Sequence, residues 1–260
     1  MKNILFVFLA LFAANAQAQN ASLIYDNNAQ IRQVGSFTSI KISSAIDLYL
    51  TQSDNCQVAV SASKNEIRDR IQTTVEGNTL VIKFENNNGW SGWNNWGNYK
   101  MKAYVSVKDL NALTGSGAST IRLLSKLSTK KLQVKLSGAS DFDGDLEAGS
   151  LDLNISGASN YKGQLIANSF MLEASGASVC SISGAVDDMS LEISGASSAK
   201  LFDLYSKGAI VNTSGASMAH IQVSQLLKAH ASGGSDIIYK GNATLKDINK
   251  SGGANISHKD

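Results

Sequence analysis

The motif "SGAS", or a near copy of it, begins at Ser116, Ser137, Ser156, Ser175, Ser194, Ser214, Ser232 and Ser251, at intervals of 21, 19, 19, 19, 20, 18 and 19 residues. So steady a period is an internal repeat, and repeats of about 20 residues build solenoids. The residues before each motif decide which kind. Counting back five, three and one from the serine gives Leu132, Val134 and Leu136, then Leu151, Leu153 and Ile155, then Phe170, Leu172 and Ala174, then Met189, Leu191 and Ile193. Polar residues such as Gln133, Lys135, Asp152, Asn154, Ser190 and Glu192 fill the gaps. Strict alternation marks a strand with one buried face. A coil of this length whose strand pairs with its counterpart in the next coil is a parallel β-helix, an all-β fold. The register predicts an internal column of Leu132, Leu151, Phe170, Met189 and Leu227.

The repeated motif reads as the corner between coils. Its glycine permits a positive φ, its alanine is expected to point into the narrow vertex, and its serines are expected to bond freed backbone groups or one another. The sequence holds 22 glycines and no proline, which suits a chain made mostly of paired strands. The later copies decay to "SGGS" and "SGGA", and Lys246 and Lys250 replace apolar residues, as in a cap that blunts an open sheet edge.

Residues 1–18 read as a secretory signal peptide, with Lys2, an apolar run from Ile4 to Ala14 and the small-x-small site Ala16-Gln17-Ala18. Cleavage there would leave Gln19 to Asp260, with no cysteine at the cleavage point to carry lipid and no later apolar stretch long enough for a transmembrane span. The expected address is the periplasm, the outer-membrane surface or the medium. The formal charge of +2 includes Lys2, so the mature chain carries +1, which gives no electrostatic case for nucleic acid. Cys56 and Cys180 read as two buried thiols, with a disulfide as the alternative that export would permit.

Residues 30–115 lack the repeat but alternate as strands do at Ile46, Leu48 and Leu50, at Leu80, Ile82 and Phe84, and from Met101 to Val107. Glu76-Gly77-Asn78 reads as a hairpin turn, and Ile67 to Ile71 as a helical turn or polar coil. This N-terminal β region could form irregular early coils or a separate sheet, followed by the repeat region 116–260. Inside it lies "NNNGWSGWNNWGN", residues 86–98, with every tryptophan of the protein. Large rings among turn residues invite contact, and aromatic faces beside amides suit sugar rings. Trp90, Trp93, Trp96, Asn94 and Asn95 are therefore the candidate ligand-binding residues, against the alternative that the rings fold back over the core.

No catalytic constellation stands out. "DFDGDLE" alternates Asp141, Asp143, Asp145 and Glu147, but its glycine and the missing distal glutamate do not fit a calcium loop, so a solvated acidic turn is expected and no metal. His220, His230 and His258 fall at different offsets from their repeat serines and should not share a column. The outward column Lys135, Asn154, Glu173, Glu192, Asn212 and His230 is the nearest approach to a polysaccharide-cleaving site and reads as a solvated ladder.

The signal peptide, "GSFTSIKISSAIDLYLTQSDN", "GNTLVIKFE" and the string of Ser-Gly-Ala-Ser coils together resemble the head GIN domain family, from about Arg32 to the C-terminus. These are exported bacterial proteins, common in Bacteroidetes and described as auto-transporter adhesins. The resemblance implies a right-handed parallel β-helix at or beyond the cell envelope with an adhesive role, and it supplies no catalytic residues. The chain departs from the name in that neither a translocator barrel nor a wall-anchoring signal follows Asp260. The expectation is an exported, non-enzymatic surface or envelope protein without cofactor, presenting a binding face to a glycan or envelope protein. The alternatives are a polysaccharide-acting enzyme and a purely structural envelope component.

Overall fold

The structure, a computed structural model, describes residues 26–85 and 99–260. The segment read as a signal peptide therefore lies outside the described residues. The N-terminal part contains β1 (Gln30–Arg32), β2 (Ser39–Ile42), β3 (Ile46–Gln52), β4 (Gln57–Ala62), the helical turn α1 (Asn65–Arg68), β5 (Ile71–Glu76), β6 (Thr79–Phe84), β7 (Met101–Val107), β8 (Ala112–Gly115) and β9 (Thr120–Leu123). The repeats supply β10 (Leu127–Leu136), β11 (Asp141–Asp143), β12 (Leu146–Ile155), β13 (Asn160–Ala174), β14 (Val179–Ile193), β15 (Ser198–Thr213), β16 (Met218–Ala231), β17 (Asp236–Lys240), β18 (Thr244–Lys250) and β19 (Asn255–His258).

Parallel pairing stacks these strands into a β-helix. On one side the partners run Leu80, Ile40, Leu113, Val134, Leu153, Leu172, Leu191, Val211, Ala229 and Ile248, each opposite the next. All but the last are at most 1% exposed. On the other side the run is Ala103, Leu48, Ile121, Phe142, Tyr161, Cys180, Ala199, Ala219, Ile237 and Ile256. Both ladders cross from the non-repeating half into the repeats without a break, so the early strands are irregular coils of the same solenoid. Stack order and chain order part company there, because β6 and β7 lie outside β2 and β3. The column expected from the repeat is present, with Ala209 between Met189 and Leu227.

The outermost N-terminal rung is closed by antiparallel strands. β5 pairs with β6 through the Glu76-Gly77-Asn78 turn, where Gly77 has φ 62°, while β4 pairs with β7 and β1 with β4. Helix α1 tucks Ile67 into this cap at 3% exposure, so the segment from Ile67 to Ile71 is helical at its start, turns at Asp69 and Arg70, and opens β5 at Ile71.

The corner has the expected glycine but not the expected alanine. Gly176 has φ +77°, and a Cβ there would lie 2.5 Å from the carbonyl oxygen of Gly157 in the coil before. Alanines such as Ala139 and Ala158 point outward, and the second serine, present in every motif but the last, is buried instead. Ser140, Ser159, Ser178 and Ser235 are fully buried. The hydroxyls of Ser140, Ser178, Ser217 and Ser235 donate to the carbonyl of the first serine in the same motif at 2.9–3.0 Å. A buried hydroxyl is tolerated only when bonded, and here the turn itself supplies the acceptor. The alanine N–H, as in Ala158 to Gly138 O at 2.8 Å, joins successive corners, and that geometry turns its Cβ to solvent.

Candidate functional site

The outward positions of the same strands form columns as regular as the core. Lys135, Asn154, Glu173, Glu192, Asn212 and His230 are in register as expected, and Asn249 extends the column by one rung. The corner serines Ser175, Ser194, Ser214 and Ser232 make the opposite wall of a groove of about 730 Å³ that runs along the solenoid. Asn249 was hidden in the sequence because the last repeats had decayed, although the 19-residue step from His230 pointed to it.

Neighbouring rungs bond one another along this groove. The Asn154 amide donates to Glu173 at 2.6 Å, and the Asn249 amide donates to Asp247 at 2.9 Å. His230 Nε2 lies 3.2 Å from an Asp247 carboxylate oxygen and 3.2 Å from the Asn249 amide. Among the described residues the side chains of Glu192 and Asn212 make no hydrogen bond. Glu173 and Glu192 thus stand in one row, with backbones about 4.8 Å apart, and reach out in the same direction. A glycosidic bond is cleaved by carboxyl groups that flank it from two sides. A single row of amides and acids can instead hold the hydroxyls of an extended chain.

The candidate binding residues Trp90, Trp93, Trp96, Asn94 and Asn95 lie outside the described residues. The ends of their segment are fixed at the closed end of the solenoid. Phe84 closes β6 beneath the Arg70 guanidinium, whose carbon is 4.8 Å from the ring centroid. On the other side Tyr99 packs against the core, with Lys64 Nζ 5.8 Å from its ring centroid.

The remaining candidates separate. Cys56 is exposed and Cys180 buried, both free, so the expectation of two buried thiols holds for Cys180 alone. Burial pushes the Cys180 thiol far above its usual range. Asp141, Asp143, Asp145 and Glu147 are all exposed, and three of them have separate partners: Asn160 on Asp141 at 2.8 Å, the Gln164 N–H on Asp145 at 2.9 Å and Lys126 on Glu147 at 2.5 Å. Among the described residues no group of three histidine, cysteine or acidic side chains could hold a metal, and no helix is long and apolar enough to cross a membrane.

Comparison with solved structures finds the same solenoid elsewhere. A "putative adhesin" from Parabacteroides merdae superposes with a TM-score of 0.78 at 18% identity, over 89% of this chain and 95% of its own. A "putative adhesin" from Parabacteroides distasonis gives 0.78 at 22%, over 88% and 95%. A "putative lipid binding protein" from the same species gives 0.76 at 22%, over 90% and 98%. At these identities the likeness is one of fold. A search of the curated proteins finds none that matches the chain. The family described as "Putative auto-transporter adhesin, head GIN domain" matches residues 36–243, from the segment just before β2 to the turn after β17. With well over half of its length matched in this way, the chain belongs to the head GIN domain family.

Proposed function

We propose that the protein is exported through a cleaved signal peptide and serves as a non-enzymatic binding scaffold of the cell envelope, holding a glycan or an envelope protein by its tryptophan segment. The observation that carries this reading is the position of that segment. Residues 86–98 fall between β6 and β7, two fully paired strands at the closed end, so a segment rich in Trp and Asn is joined at both ends to a rigid base. Fixed ends lower the entropy lost when a segment between them is ordered on binding. The groove of Asn154, Glu173, Glu192 and Asn212 supports the non-enzymatic part, since its carboxylates form one row. Binding of the chain from Gln19 to Asp260 to a glycan array and to intact bacterial envelopes tests the proposal, beside W90A/W93A/W96A checked by circular dichroism. Loss of binding in the folded variant is the expected result. Equal binding by both moves the site to a coil face, and product formation from any polysaccharide ends the non-enzymatic reading.

A lipid contact is a second reading. It is favoured by an exposed strip of Met171, Ile210 and Leu226 along a groove of about 440 Å³, and one relative of the same fold carries a lipid-binding name. Flotation with phospholipid vesicles, lost on M171S/I210S, is the outcome this reading requires.

A further inference from the structure

The coil from Ser194 to Ser214 spans 20 residues and the next only 18. That irregularity becomes a bulge. Leu201 pairs with Ile221 and Tyr205 with Gln222, so residues 202–204 have no counterparts in β16. Toward the preceding coil the register also slips, between Ser181 opposite Lys200 and Gly184 opposite Leu204. Bulges re-aim side chains. Leu204 returns to the core at 0% exposure, while Phe202 is left half-buried at the surface.

Cations gather around Phe202. Its ring stacks on His220, with centroids 4.6 Å apart and planes 5° apart. Lys240 Nζ and Lys259 Nζ lie 5.1 and 5.3 Å from the Phe202 centroid, on adjacent rungs of the last coils. Lys200 is in register with His220. Burial lowers the pKa of His220, Lys259 and Lys200 lower it further, and Asp236 opposes them. Among the described residues none of Lys200, Lys240 and Lys259 is ion-paired with a carboxylate. Like charges on adjacent rungs repel, and the ring's quadrupole offsets only part of that.

We propose that Phe202, His220, Lys200, Lys240 and Lys259 form a binding site for a sulfate or phosphate group borne on a glycan. Ammonium groups are compact, hydrated charges with freely rotating donors, suited to a tetrahedral oxyanion, whereas planar carboxylates are matched by the arginine fork, which this cluster lacks. The Phe202 ring adds apolar surface for the sugar that carries the charge.

The test follows the His220 ring resonances of the full chain by NMR during titration with dextran sulfate, neutral dextran and sodium sulfate. Dextran sulfate should shift them saturably and raise the His220 pKa, because a bound anion cancels the lysine field, and neutral dextran should not. K240Q/K259Q should weaken the apparent affinity about tenfold. K207Q, which removes a lysine paired with Asp187 at 2.6 Å, should leave it unchanged, as should W90A/W93A/W96A. The last control separates this site from the tryptophan segment. Equal affinity per charge for free sulfate and dextran sulfate would keep the oxyanion site and remove the glycan from it. Absence of any shift, equal weakening by K207Q, or preference for anionic phospholipid vesicles would overturn the proposal.

Discussion

At the N-terminal end of the solenoid β1, β4 and β5 fold back antiparallel over the last rungs, whereas at the C-terminal end β18 pairs only with β16 and β19 only with β17 among the described residues. The side chains follow. Phe37, Ile67 and Ile71 at the closed end are 2–4% exposed, but Leu245 at the open end is 46% exposed and Ile248 and Ile256 are only partly buried. Register alone therefore does not bury a residue, since the outer rung of a ladder needs something laid on it. The closed end obtains that cover from its own irregular strands. The open end instead carries Lys246 and Lys250, charges that discourage edge-to-edge pairing. Function divides in the same way in our account, with the tryptophan segment at the closed end and the lysine cluster near the open one.

Core truncations should separate the two ends of the solenoid by the widest margin. Leu172→Ala, in the middle of the ladder at 0% exposure, should cost about 3 kcal/mol in urea unfolding, whereas Ile256→Ala on the last rung should cost less than about 1 kcal/mol. Equal losses would mean that the open end is covered in solution. Corner substitutions come next. Gly176→Ala combines φ +77° with a Cβ contact of 2.5 Å and should cost about 1–3 kcal/mol. Gly234→Ala, which has ordinary φ and nothing closer than 3.8 Å, restores the motif near the open end and should lie within about 0.5 kcal/mol of wild type.

The smallest expected effect concerns the closed end. Burial raises the pKa of Asp26, but hydrogen bonds from Ser61 at 2.5 Å, Lys102 at 3.0 Å and Tyr104 at 3.1 Å outweigh it and hold the carboxyl below its usual value. A depressed folded pKa contributes stability that is full above the unfolded value and is lost as pH falls through the folded one. Asp26→Asn should therefore lower the unfolding free energy slightly at pH 7, by less than about 1 kcal/mol for a carboxyl a third exposed, and the gap from wild type should shrink as pH falls below the usual carboxylate range and close once Asp26 is protonated in the folded state. A gap that persists in acid would show that packing, not charge, links residue 26 to the cap.

Period and alternation made the repeat half legible before any coordinates. The column through Leu132, Phe170 and Met189 and the outward row through Glu173 and Glu192 could both be written from spacing, because a parallel ladder without insertions keeps equivalent residues opposite each other. The corner was half legible. Glycine announces its backbone angle, but alanine and serine are both small, and only the backbone direction decides that Ser140 faces in and Ala139 out. The early coils were not legible as coils, since β6, β2 and β8 stack out of chain order and no fixed interval links Leu80, Ile40 and Leu113. The Phe202 bulge left a faint mark, an interval of 20 followed by one of 18, whose meaning depends on which residue leaves the ladder.

One solenoid runs from β6 through β2 and β8 into the repeats, closed at one end and open at the other. Native-state hydrogen exchange measured residue by residue tests it most directly. Amides of β6, β2 and β8 should be protected as strongly as those of β12 to β14, with protection falling off through β18 and β19. Exchange of the first half as a separate, weaker unit, or full protection of β18 and β19, would contradict it.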